Sequence, residues 1–121
     1  MIQMEKADRA RPPVLQGRSR RVDLPDGSVI FITVNSDQNG PLEVFVRLDD
    51  PTLYEWTTAL TILITRALRA GQKLSSIADE LVMIHGPTTG HFIPGTKEKS
   101  PGIVSRIGKA LHDLDEMDKT A

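Results

Sequence analysis

The chain contains no cysteine. That removes disulfide staples and thiolate metal sites, and it fits a reducing compartment. Aromatics are few, three Phe, one Tyr and one Trp in 121 residues, so the core has to be modest and mostly aliphatic. No stretch approaches the ~20 apolar residues of a membrane span. The opening MIQMEKADRARPPVLQG carries charges where a secretory segment needs an apolar run. The cytoplasm is therefore the expected location, with no membrane partner. A surplus of one charge sign is missing too, since 15 basic residues face 16 acidic ones for a net of −1. Duplex nucleic acid calls for a broad positive surface and is not an expected partner. Neither an internal repeat nor a low-complexity run occurs.

What is present is one domain's worth of chain, enough to bury about 60 to 70 per cent of the surface its unfolded form exposes. The charges are unevenly placed. Arg9, Arg11, Arg18, Arg20 and Arg21 crowd one end, while Asp113, Asp115, Glu116 and Asp118 close the other. Residues 1–17 lack periodicity and contain Pro12-Pro13, which sets them apart as a flexible basic arm. A single domain over 18–115 and an acidic tail over 116–121 complete the division.

"RSRRVDL" and "SVIFITVN" flank Pro25-Asp26-Gly27, where proline fixes one φ and glycine accepts a positive one, so the pair reads as a β-hairpin. In the second strand Ile30, Ile32 and Val34 share one side and Val29, Phe31 and Thr33 the other. Apolar residues on both faces place it centrally in a sheet, or else under helices on one side and a partner subunit on the other. "SDQNGP" turns the chain into a third strand, "LEVFVRL". Asp49-Asp50-Pro51 then opens a helix over about 53–70, with Gly71 as its C-cap. A shorter helix is expected from Ser76 to Met83, with Ser76 and Asp79 as a capping pair. A third starts at Ser100-Pro101 and buries Ile103, Val104, Ile107, Leu111 and Leu114. Three antiparallel strands followed by three helices make a two-layer α+β domain. Because helices cover only one face of such a sheet, a homo-oligomer using Phe31 or Phe45 is expected.

Chemistry concentrates in the irregular loop "IHGPTTGHFIPG" and in "GTKEKSPG" after it. Lys97 and Lys99 precede a helix N-terminus, whose unpaired N–H groups and positive dipole end favour an anion such as phosphate. Thr88, Thr89, His91 and Phe92 add hydroxyls, an imidazole and an aromatic face suited to a base or ribose. Phe92 serves equally as a plug holding the loop down, and Ser100 as a cap alone. Arginines 18, 20, 21, 47, 66, 69 and 106 are candidate phosphate contacts, although Arg66 and Arg69 suit a solvated helix face as well. His85, His91 and His112 lack the spacing of a metal site. A relay of Ser75 or Ser76 with His85 and Asp79 has no local signature behind it. Neither a metal, nor a cofactor, nor catalysis is expected.

Three stretches, "GSVIFITVNSDQNGPLEVFVRL", "ALTILITRALRAGQKLSSIADEL" and "SPGIVSRIGKAL", resemble the TSCPD-type domain found at the end of adenosylcobalamin-dependent ribonucleotide reductases. The likeness runs from about Arg18 to Leu114. Two departures stand out: Leu24-Pro25-Asp26-Gly27 occupies the turn where the family's name motif has its cysteine, and Asp49-Asp50-Pro51 replaces the usual Gly-Lys after the third strand. Among free-standing domains of this pattern, the chain is most similar to phage anti-Thoeris sponge proteins, which sequester cyclic ADP-ribose signals, and in some members cyclic oligonucleotides, without cleaving them. The resemblance implies a dimer or hexamer in the host cytoplasm, holding a phosphate-bearing adenine nucleotide between subunits. Phe92, Lys99, Ser100 and Arg106 are its expected contacts, with Thr88, Thr89, His91 and the basic Arg18, Arg20 and Arg21 as further ones. The other reading is a regulatory or accessory domain of ribonucleotide reduction.

Overall fold

Two glycine turns fold the first half of the chain into a sheet. In the computed structural model, which describes residues 9–86, 92–99 and 102–120, β1 (Gln16–Asp23), β2 (Val29–Asp37) and β3 (Gly40–Leu48) lie antiparallel with β2 in the middle. Gly27 takes φ 91° between the first two strands, and the Leu24 N–H donates to the Ser28 carbonyl at 2.9 Å. Gly40 takes φ 115° at the second turn, where the Asp37 carboxylate accepts from the Asn39 N–H at 2.8 Å. Both φ values lie where a side chain is strained, so glycine is required there.

Three helices follow: α1 (Pro51–Arg69), α2 (Leu74–Val82) and α3 (Ile103–Thr120). Asp50 caps α1 by accepting from the Thr52 N–H at 2.9 Å, and Gly71 at φ 101° ends it. Thr57 and Thr61, buried on the inner side of α1, hand their hydroxyl protons back to helix carbonyls, which satisfies them without a tertiary partner. Thr65 does the opposite. Its Oγ1 accepts from the Val44 N–H at 3.0 Å and donates to the Val44 carbonyl at 3.3 Å, tying α1 to the outer edge of β3.

Alternation in β2 sets the core. Ile30, Ile32 and Val34 are almost fully buried, together with Val22, Val44, Ile64, Leu68, Ile107, Leu111 and Leu114. At about 25 cal/mol per Å² of apolar surface, this cluster is the main source of stability. α3 lies across β1 and β2 and packs along α2. Gly108 makes that second contact close, since a Cβ there would stand 2.8 Å from the Val82 nitrogen and 2.9 Å from the Leu81 Cβ.

Several local expectations change. The sheet's other face is more polar than the strand pattern implies: Arg47 stacks on Phe31 at 4.9 Å, the Ser19 and Thr33 hydroxyls bond at 2.6 Å, and of its described apolar residues only Phe45 is widely exposed. α2 starts at Leu74 after Lys73 without a side-chain cap, so the Ser76–Asp79 cap does not form. Leu74 is 2% exposed, and its burial anchors the first turn in place of a cap. α3 starts at Ile103, past the expected Ser100-Pro101 start. Gly102, at φ 117°, precedes it and accepts the first helical bond, from the Arg106 N–H at 3.1 Å. Residues 116–120, set aside as a tail, continue α3.

The arm is tied to the domain from Arg9 onward. The Arg9 N–H donates to the Arg69 carbonyl, and its guanidinium reaches the Asp37 carboxylate and the Gly40 and Pro41 carbonyls. Arg11 binds both carboxylate oxygens of Glu43 at 3.2 and 3.0 Å, and β1 begins at Gln16 rather than Arg18. Among the described residues no helix is long and apolar enough to cross a membrane.

Candidate functional site

Register brings the arginines of β1 to the helices. Arg20 pairs with Ile32 across the sheet and so points to the face that carries the core. At the β1 side of that face the sheet, α3 and the 92–99 segment enclose a cleft of about 480 Å³. Five cationic residues border it: Arg20, Lys99, Arg106 and Lys109, and Arg21, whose side chain, opposite Phe31 in the register, points to the sheet's other face. Glu98 and Asp113 are the acidic ones. With Arg21 set aside, four cations against two carboxylates leave the cleft with about two positive charges, whereas the whole chain is at −1. Val22, Val82, Ile93 and Ala110 supply an apolar floor. A pocket with an apolar base and a few converging charges is the usual form of a small-ligand site.

The charges are held, not loose. Arg106 sits in the first turns of α3 and donates from Nη1 to the Asp23 carbonyl at the end of β1. Burial lowers its pKa from the usual guanidinium value, and the negative charge of Asp23 opposes that effect; a guanidinium stays cationic in either case. Fixed by one bond, its remaining N–H donors are aimed by the packing of the helix. Arg20 Nε lies 3.0 Å from the Asp113 carboxylate, and Lys109 Nζ approaches the other oxygen at 3.4 Å. Arg21 pairs with Asp23 at 2.8 Å. These pairs are partly exposed and worth little individually, so an incoming anion can displace them at small cost. Ser105, also lining the cleft, donates to the Val82 carbonyl at 2.7 Å and locks the start of α3 to the end of α2.

The 92–99 segment is a small hairpin. Phe92 and Lys99 are bridged at its base, the Ile93 N–H donates to the Glu98 carbonyl at 2.8 Å, and Gly95 turns at φ 80°. Phe92 is 55% exposed, so it is not a plug, and it stands beside the cleft lining rather than within it. Arg18 pairs with Val34, one pleat further along β1, and does not line the cleft among the described residues. Thr88, Thr89, His91 and Ser100 lie outside the described residues.

Three residues singled out by chemistry, Arg20, Lys99 and Arg106, are therefore brought together, while Arg21, next along β1, faces the other way. Lys109 was missed, although its position three residues after Arg106 puts both on one helix face. Of the relay residues, Asp79 pairs with His112 at 2.7 Å, while His85 lies exposed past the end of α2. No group of three or more His, Cys, Asp or Glu among the described residues is placed to hold a metal ion.

The family model of the TSCPD domain matches residues 4–114, a span that covers the arm from its fourth residue, the whole sheet and all but the last residues of α3. No curated protein and no solved structure matches the chain.

Proposed function

Since the chain belongs to the TSCPD domain family, we propose that it is a non-catalytic binding protein that captures a phosphate-bearing nucleotide in the cleft between β1 and α3. The observation that carries this reading is the convergence of Arg20, Lys99, Arg106 and Lys109 on one apolar-floored cleft. Guanidinium forks match phosphate oxygens, and the apolar floor suits a base or ribose. The resemblance to anti-Thoeris sponges supplies the ligand class, a cyclic ADP-ribose isomer or a cyclic oligonucleotide sequestered intact. Magnitudes fit a sponge of this kind. Four charge-assisted hydrogen bonds at about 1.5 to 3 kcal/mol each amount to about 6 to 12 kcal/mol before association costs, against the ~8 of micromolar and ~12 of nanomolar binding. Tighter capture needs a stacked aromatic, for which Phe92 at the cleft margin is placed, and a second chain.

The test is direct. The protein is mixed with cyclic ADP-ribose isomers and cyclic oligonucleotides, filtered free of excess ligand and heated, and the released molecule is identified by mass. Intact ligand is expected, with retention falling about 10- to 100-fold in Arg106→Ala and further in Arg106→Ala/Lys109→Ala. An altered molecule makes the protein an enzyme. A second reading, an accessory domain of ribonucleotide reduction, is favoured by the sheet's open face with Phe45 52% exposed, which suits a protein partner. It is adopted if ligand is retained only when a reductase is present.

A further inference from the structure

Among the described residues nothing covers the outer side of α1. On a helix of 3.6 residues per turn, Glu55, Ala59, Ile62, Leu63 and Arg66 fall on one stripe, opposite the buried Thr57, Thr61, Ile64 and Leu68. Ile62 is 54% and Leu63 66% exposed, and Ala59 is exposed beside them. The bonds from Thr65 to Val44 fix the helix so that this stripe faces away from β3. Exposed isoleucine and leucine at the middle of a helix, with a charge of opposite sign toward each end, is an arrangement that a soluble single chain gains nothing from.

We infer that this stripe is an interface with a second copy of the chain, packed antiparallel, α1 on α1, about a two-fold axis passing between Leu60 and Thr61. The sequence is self-complementary about that point. The axis sets Glu55 of each copy opposite Arg66 of the other, so both ends of the contact close with an ion pair. Ala59 falls opposite Ile62, a small side chain facing a large one, which lets the helices approach closely, and Leu63 covers one flank of the seam. Neither Glu55 nor Arg66 is engaged in an ion pair with another described residue. A parallel pairing would set Glu55 against Glu55 and Arg66 against Arg66, and like charges disfavour it. Two-fold pairing uses the same patch on both copies and closes on itself. The ligand cleft stays outside this contact, because the stripe belongs to α1 and the cleft to β1, α3 and the 92–99 hairpin.

Sedimentation equilibrium of the full chain tests the assignment. A dimer is expected, with Ile62→Asp weakening it about 100-fold, since the substitution puts two charges at the centre of the contact. Glu55→Arg and Arg66→Glu should each weaken it about tenfold, and the two combined should restore it. All four positions changed are exposed or lie on the exposed stripe, and circular dichroism verifies that each variant stays folded. Phe45→Glu, on the open sheet face, should leave association unchanged. The inference is overturned by a monomer at about 100 µM, where a contact of ordinary affinity is saturated. It is equally overturned by a dimer that survives Ile62→Asp, by one lost in Phe45→Glu, or by failure of the charge swap to restore pairing.

Discussion

β2 has two neighbours, and they answer the same core in opposite chemistry. Ile32 pairs with Val46 on β3 and with Arg20 on β1, and Val34 pairs with Val44 and with Arg18. On the β3 side the pattern closes into aliphatic packing beneath α1. On the β1 side charged side chains occupy the same face, and the cleft opens where they meet α3. Ile30, opposite the buried Val22 of β1, and Ile32, opposite Arg20, are nonetheless both fully buried, so at Ile32 the core needs only one aliphatic flank together with α3. The arginine flank is thus available for binding, at a cost in packing that the fold absorbs elsewhere.

The sharpest way to break this contrast is to truncate either side of β2. Ile32→Ala should cost about 2 to 5 kcal/mol by cavity formation, read as a drop in the urea midpoint, whereas Arg20→Ala should cost under about 1 kcal/mol while weakening ligand retention. If Arg20→Ala destabilises as much as Ile32→Ala, the two flanks are not different in kind. Gly108→Ala tests the wall of the cleft. Its new Cβ would meet backbone atoms of α2 at 2.8 and 3.0 Å, which a flexible side chain cannot relieve, so a loss of about 1 to 3 kcal/mol is expected along with weaker ligand retention, because α3 must shift. The smallest effect concerns the arm. Burial disfavours the Glu43 carboxylate, but hydrogen bonds from Arg11 and Asn35 and the charges of Arg11 and Arg69 outweigh it and hold the pKa below the ordinary 4.5. A carboxylate depressed in the folded state contributes fully above its unfolded pKa and loses that contribution as pH falls through the folded value. Glu43→Gln should therefore narrow the difference in urea midpoint between neutral pH and about pH 3. An unchanged difference would show that the Arg11 contact does not bind the arm.

Strands and turns were legible because their signals are local. Alternation of Ile30, Ile32 and Val34 names the buried face, and Gly27 and Gly40 name the turns. The starts of α2 and α3 were not, because tertiary burial of Leu74 and the backbone freedom of Gly102 override the serine and proline signals nearby. In the cleft, Arg20, Lys99 and Arg106 could be nominated by chemistry, yet their meeting, and the turning of Arg21 to the other face, depends on strand register, which a single sequence leaves open. Lys109 had a readable signal in its spacing from Arg106. The docking of Arg9 and Arg11 had none, since their carboxylate partners lie 28 and 32 residues away and nothing local marks a long-range pair.

The bond between Thr65 and Val44 has a consequence for how such a sheet can grow. Val44 stands at the middle of β3, and its outward N–H and C=O are the groups an incoming strand would use to zip on. With a helix hydroxyl occupying both, that margin no longer serves as a template. Among the described strands β1 is then the edge left open at its middle, and a sheet open on one side alone can join a second sheet once and stop.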